Sequence, residues 1–271
     1  MRKLGVSTIA DSPVPIEEQI RMIKDCGFDC FFTTYYDDEP IDKWKELAVK
    51  LGLEFETIHL PFYTKKALNS NHLWIDSLDG EEYFDYILRH IEGCSEIEVP
   101  VGVMHVTCET EGPEVTDLGL SRIKKICEYA EKKNVKLAFE NLERPEHLYR
   151  VMEITGDYHG FCWDSGHNLC YTPETDMSEK YGDRIICTHI HDNFGVTKPG
   201  NIHWYDDLHL LPFDGKLDFE WYGKRIKEIG YKGPLTLELL LKSKEEYKIQ
   251  PLEEFFKSAH ERLVKIRNFA E

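Results

Sequence analysis

The sequence has no Cys-x-x-Cys pair, no GxGxxG or GxxxxGK[ST] turn and no run of five or more basic residues. Nor does it contain the roughly 18 uninterrupted apolar residues that a membrane span needs. Each absence removes a class of function. The eight cysteines (26, 30, 94, 108, 127, 162, 170 and 187) stand singly and mostly in apolar segments. Buried thiols there act as small hydrophobes, so a reducing compartment is expected and a cysteine-held zinc is not. Without a glycine-rich phosphate turn, the chain lacks the signature of a nucleotide-binding doubly wound sheet. Positive charge is scarce too: 33 Lys and Arg face 50 Asp and Glu, a formal charge of -17. Such a surface repels polyanions, so neither nucleic acid nor an anionic membrane is expected as a partner. The opening "MRKLGVSTIADSP" has too short an apolar stretch for a secretory leader, and a cytoplasmic location is expected. Oligomeric state leaves no mark in the sequence.

What the chain does contain is one unit repeated: a short β-rich run, a polar turn, then an amphipathic helical stretch. No Pro/Gly/Ser-rich linker interrupts it, which argues for one domain over 1–271. Eight strands are predicted, at 4–9, 29–35, 54–60, 101–107, 135–142, 160–166, 184–192 and 233–241. Helical patterns include 16–28, 41–53, 119–134 and 252–271. Alternating βα units with apolar strands imply a parallel sheet covered by helices, and eight of them in about 250 residues is the arithmetic of a (β/α)8 TIM barrel.

Polar residues gather where these strands end. His59 and His105 close the third and fourth, Glu140 the fifth, Asp164 and then His167 the sixth, His189 and His191 the seventh, and Glu238 the eighth. The long segment 194–217 adds Asp207 and His209 and reads as a lid or rim. In a barrel all of these meet at one mouth. A lone histidine such as His59 is explained as well by a hydrogen-bonded rim residue as by a ligand. Glu140, Asp164 and Glu238 are harder to explain, because acids flanked by "LAF", "FCW" and "PLTL" would bury charge at a cost of several kcal/mol unless a cation sits with them. The strand ends offer almost no Lys or Arg, so a divalent metal is expected. Carboxylates and imidazoles without thiolate suit Zn, Mn, Co or Fe, with Mg if waters complete the shell.

Taken together, "FENL", "DSGH", "HIHDN", "DDLHLLPFDG" and "LEL" resemble the motifs of the xylose-isomerase-like barrel superfamily. That superfamily includes sugar isomerases and epimerases, inosose-handling enzymes and endonuclease IV. The resemblance implies that Glu140, Asp164, His189 and Glu238 hold one ion, as in the sugar epimerases. Residues matching the further ligands of the three-zinc endonuclease IV site are also present: His59, His105, His167, Asp207 and His209. The count therefore stands open at one to three ions. His191, two residues past His189, points to the same side of an extended strand, so either could be the ligand; the resemblance favours His189.

The implied activity is a divalent-metal-dependent sugar, sugar phosphate or inosose isomerase or epimerase, moving a proton beside a carbonyl through an ene-diolate. Glu140 and Glu238 would serve as base and acid, with His167 bonded to a substrate oxygen. His191, Phe62, Trp163 and Trp204 are further candidates to touch a small-molecule substrate. Two alternatives remain: an endonuclease IV-like phosphodiesterase, opposed by the acidic charge, and a small-molecule hydrolase or lyase on the same scaffold.

Overall fold

The strands form where β-rich runs end in turns, and each is shorter than its apolar stretch. In the computed structural model, which describes residues 1–37, 39–198 and 200–271, they are β1 (Leu4–Ser7), β2 (Cys30–Thr34), β3 (Glu54–His59), β4 (Val101–Met104), β5 (Lys136–Glu140), β6 (Gly160–Asp164), β7 (Ile185–His189) and β8 (Leu235–Leu237). All are parallel and pair in the order β7-β6-β5-β4-β3-β2-β1-β8. The ring closes just past β7, where Ile190 N donates to Thr236 O at 2.8 Å and Glu238 N donates to Ile190 O at 3.1 Å. The single (β/α)8 barrel expected from the repeat is what the chain forms.

Around it lie α1 (Ile16–Asp25), α2 (Ile41–Leu51), α3 (Leu78–Glu96), α4 (Asp117–Lys132), α5 (Pro145–Ile154), α6 (Ser165–Cys170), α7 (Met177–Tyr181), α8 (Phe219–Glu228), α9 (Glu245–Ile249) and α10 (Leu252–Ala270). Their starts are encoded locally. The side chains of Ser77, Thr116 and Asp218 accept the first free N–H groups of α3, α4 and α8, and Pro145 occupies the first turn of α5. Gly52 ends α2 in the left-handed conformation, φ 63°. None of the helices is long and apolar enough to cross a membrane, among the described residues.

Most of the core lies between sheet and helices. The barrel interior is smaller and divided. Val103, Ala138, Cys162 and Cys187 fill one half with small apolar groups. In the other half Glu56 accepts hydrogen bonds from Thr236 Oγ1 at 2.6 Å and Cys30 Sγ at 3.3 Å. Burial pushes the Glu56 carboxyl up, toward its neutral form. All eight cysteines are free and seven are buried.

The sixth strand stops at Asp164 rather than Gly166. The Asp164 carboxylate accepts the His167 N–H at 2.6 Å and caps α6. The cap turns the chain out of the sheet and swings His167 back over the strand end.

Candidate active site

The strand ends converge as the barrel requires, and their donor atoms sort into groups whose members lie within 4.8 Å of one another. Glu140 is the hinge between two of them. Its Oε2 is 2.8 Å from His105 Nε2 and 3.5 Å from His59 Nε2. Its Oε1 is 2.7 Å from His189 Nδ1, which also faces Glu238 Oε2 at 3.3 Å. Asp164 completes that second group. A third group joins His167, His191, Asp207 and His209, with Asp207 Oδ2 3.1 Å from His167 Nε2 and 3.0 Å from His209 Nε2. Cys162 also lies near Glu140 and His189, but burial beside Cys187 drives its thiol far up, so it keeps its proton.

Three of the imidazoles are anchored through Nδ1 to a backbone carbonyl. His59 Nδ1 is 2.9 Å from Leu60 O, His167 Nδ1 is 3.0 Å from Asn141 O, and His209 Nδ1 is 3.3 Å from Glu238 O. A backbone carbonyl fixes the proton on Nδ1 and leaves Nε2 with a lone pair, the arrangement that prepares histidine as a metal ligand. The donor set fits a divalent ion: hard carboxylates and borderline imidazoles, converging and largely dry. His59, Glu140, Asp164, His189 and His191 are all buried.

With protons in place of a cation, the site balances its own charge. Burial alone would raise the Glu140 carboxyl, but the charge of His189 and hydrogen bonds from His105, His189 and His59 hold it well below the usual carboxylate range. Burial likewise opposes Asp207 and Glu238, yet the histidines facing them keep both low. Their partners move the other way. Burial pulls imidazoles down, but Glu238 and Glu140 raise His189, Asp164 and Asp207 raise His167 well above the ordinary value, and Asp207 raises His209 to about 9. His105 is the exception, lowered by burial despite Glu140.

The loop after β7 is held by residues of its own motif. Asp192 and Leu210 exchange backbone hydrogen bonds at 2.9 Å, and the Asp192 carboxylate accepts N–H groups from Asn193, Gly215 and Leu217. Asn193 Nδ2 donates to Gly166 O at 2.9 Å. "HDN" is thus one donor followed by two staples that bring Asp207 and His209 over the barrel. His209 takes the left-handed conformation, φ 48°, an unfavourable backbone state for a non-glycine residue that the surroundings enforce.

Glycine in "DSGH" has a steric reason. A Cβ on Gly166 would lie 2.0 Å from His191 Cε1. Gly166→Ala is expected to expel the His191 ring and destabilise the fold by about 1–3 kcal/mol, the usual range for overpacking. A denaturant melt measures it; an unchanged midpoint contradicts the packing described here.

Not every expected residue reaches the mouth. The cavity above the donors, about 770 Å³, is lined by His59, Phe62, Tyr63, His105, His167, Trp204, Asp207, His209 and Glu238, among others. Glu140 is not among its walls, and both of its oxygens are engaged. His189 and His191 sit in different groups: His191 Nε2 is 3.0 Å from Asp164 and 3.6 Å from Asp207. Fully buried, His191 does not line the cavity where a substrate would touch it. Trp163 faces the helices, packing on Tyr222 of α8 at 4.5 Å, because neighbouring strand residues point to opposite sides and Asp164 takes the inner one. It lines a separate cavity beside Trp221 and Leu217. Sequence reading missed Glu109, Glu111 and Glu143, which line the mouth from loops; no periodicity marks such positions.

Over 263 aligned residues the chain is 27% identical to the uncharacterised protein y4fM of Sinorhizobium fredii, covering 82% of this chain and 80% of that one. Among solved structures it is similar to the IolI protein with a bound zinc atom (TM-score 0.75, 19% identity, 97% of each chain). It is similar also to an L-ribulose 3-epimerase (TM-score 0.73, 15% identity, 100% of this chain and 96% of that one). It spans 43% of a fusion of a xylose isomerase-like TIM barrel with a 4-hydroxyphenylpyruvate dioxygenase, matching it over 99% of its own length at TM-score 0.79 and 17% identity. A family profile matches residues 20–259, and the chain belongs to the xylose isomerase-like TIM barrel family.

Proposed function

We propose that the protein is a divalent-metal-dependent isomerase or epimerase of a small polyhydroxy ketone. The observation that carries this reading is the group Glu140, Asp164, His189 and Glu238, set within 4.8 Å at the floor of a cavity that Glu238 enters. Those four residues would hold the ion, which when bound supplies Lewis-acid polarisation of a substrate carbonyl. Proton transfer falls to the chain. Glu238, 20% exposed, reaches the substrate side and removes or returns the proton beside the carbonyl. Glu140 serves as the shared ligand that ties the groups together. His167, anchored through Nδ1 and lining the cavity, presents Nε2 to a substrate oxygen. The zinc of IolI and the activity in the name of the L-ribulose 3-epimerase support the same reading.

The test is product formation. Metal-loaded protein interconverts at least one ketose or inosose, chelation stops it, and restoring the ion restores it. A panel that stays unconverted with metal bound argues against the reading.

The groups around Glu140 and around Asp207 favour a second reading, a phosphodiesterase with up to three ions like the endonuclease IV type. Against it stands the charge of -17, which supplies little of the counterion release that drives DNA binding. Metal-dependent cleavage of abasic-site DNA at physiological salt would establish it.

Ion analysis of single variants separates the groups. His189→Ala is expected to lose the ion of the Glu140 group, and His191→Ala to retain it, measured as metal per chain. The reverse result would exchange the two assignments.

A further inference from the structure

The charge of the cavity wall limits what the site accepts. Three carboxylates line it beyond the metal donors, Glu109, Glu111 and Glu143, and among the described residues the wall contains no Lys or Arg. Glu143 Oε2 is buried without a hydrogen-bond partner, and burial pushes its carboxyl up. A buried acceptor without a donor is costly, and a ligand hydroxyl relieves that cost. Beside it the wall is aromatic, with Phe62, Tyr63 and Trp204 offering ring faces to C–H surfaces.

Two cations of the flanking segments, Lys198 and Arg144, are not among the residues that line the cavity. The Lys198 ammonium lies over the Tyr205 ring, 5.2 Å from its centroid. Arg144 is buried, with Nε on Glu146 at 3.1 Å and one terminal nitrogen 3.8 Å from Glu114; its other terminal nitrogen is buried without a hydrogen-bond partner against Gly112, outside the cavity wall. Charge in the metal site does not reverse the balance. Glu140, Asp164, Asp207 and Glu238 with the three wall acids make seven carboxylates, so even three divalent ions leave the mouth without net positive charge. Phosphate recognition depends on concentrated positive charge or a forked guanidinium.

We propose that the substrate carries no phosphate: the site takes a neutral polyhydroxy ketone, a free ketose or inosose, and Glu143 selects it by accepting one of its hydroxyls. This deepens the isomerase reading and rests on it for the identity of the ketone, while the choice between neutral and phosphorylated ligand is read by binding alone.

Metal-loaded protein is titrated calorimetrically with ketohexoses and inososes, with their monophosphates, and with inorganic phosphate as the bare anion. The expected result is a neutral compound bound at least 10-fold more tightly than its phosphate, with no heat from inorganic phosphate at millimolar concentration. Glu143→Gln, which keeps the shape, is expected to raise KM about 10-fold with kcat little changed. Glu111→Lys, at an exposed position, is expected to move the preference toward the phosphate at least 10-fold. Tighter binding of a phosphate ester, competition by inorganic phosphate, or no binding by any neutral member of the panel overturns the proposal. Tighter binding of a neutral compound without turnover upholds the proposal while removing the isomerase reading.

Discussion

Replacing Glu238 with glutamine is expected to lower kcat about 10³-fold, within the range for loss of a positioned acid–base group. The side chain occupies a specific place: one oxygen faces His189 Nδ1 at 3.3 Å, the carboxylate borders the cavity, and its own backbone N–H helps close the barrel. Glutamine keeps the length and one acceptor oxygen, so it still offers the ion a neutral ligand, but it removes both the charge and the proton-carrying capacity. Asp164→Asn has a different expected outcome. Asp164 is fully buried beneath the cavity, caps α6 and faces His191, so its charge serves the ion rather than the substrate, and metal content falls together with activity. The comparison of metal per chain with kcat in the two variants measures the division of labour. Full activity in Glu238→Gln would remove that residue from the chemistry.

Removing the ion is expected to lower the thermal midpoint by about 5–10 °C. An ion held at 100 times its dissociation constant stabilises the native state by about 2.7 kcal/mol, and in a chain of this size each kcal/mol shifts the midpoint by about 2–4 °C. The effect should grow with pH. In the chelated protein, His209 has its pKa raised to about 9 by Asp207 against the opposing effect of burial, and His167 and His189 are raised as well. A raised histidine contributes stability that is complete below its unfolded value of about 6.5 and disappears as pH climbs through the folded one. Between pH 6.5 and 9 the chelated form therefore loses the His209 charge, which leaves the facing Asp207 carboxylate without its counter-charge. A thermal scan with and without chelator at both ends of that window reads the difference. Equal midpoints throughout would contradict an ion site at the barrel floor.

The barrel was legible because each strand pairs an apolar run with a polar end, and only convergence at one mouth explains acids in "LAFE" and "CWD". Three parts were not. Strand ends compete with helix caps, so "DSGH" reads as a continuing strand until the Asp164 side chain is seen to bond the His167 N–H. Strand parity places Trp163 outside once Asp164 is inside, a constraint that aromatic character alone obscures. Glu143 and Glu109 occupy loops, where position is set by the fold and not by any repeat. His189 and His191 share a strand face, as extended geometry requires. What separates them is partners: Glu140 and Glu238 for the first, Asp164 and Asp207 for the second.

The central claim, that this site moves a proton beside a carbonyl with the help of a divalent ion, is tested most directly by hydrogen exchange. Metal-loaded protein is incubated in deuterated water with free ketoses and inososes, and the carbon-bound hydrogen next to the carbonyl is followed by proton NMR. Washout of that hydrogen is predicted for at least one member, abolished by chelation and slowed about 10³-fold in Glu238→Gln. Retention of the hydrogen across the panel, with the ion bound and abasic-site DNA cleaved by the same preparation, would contradict the account.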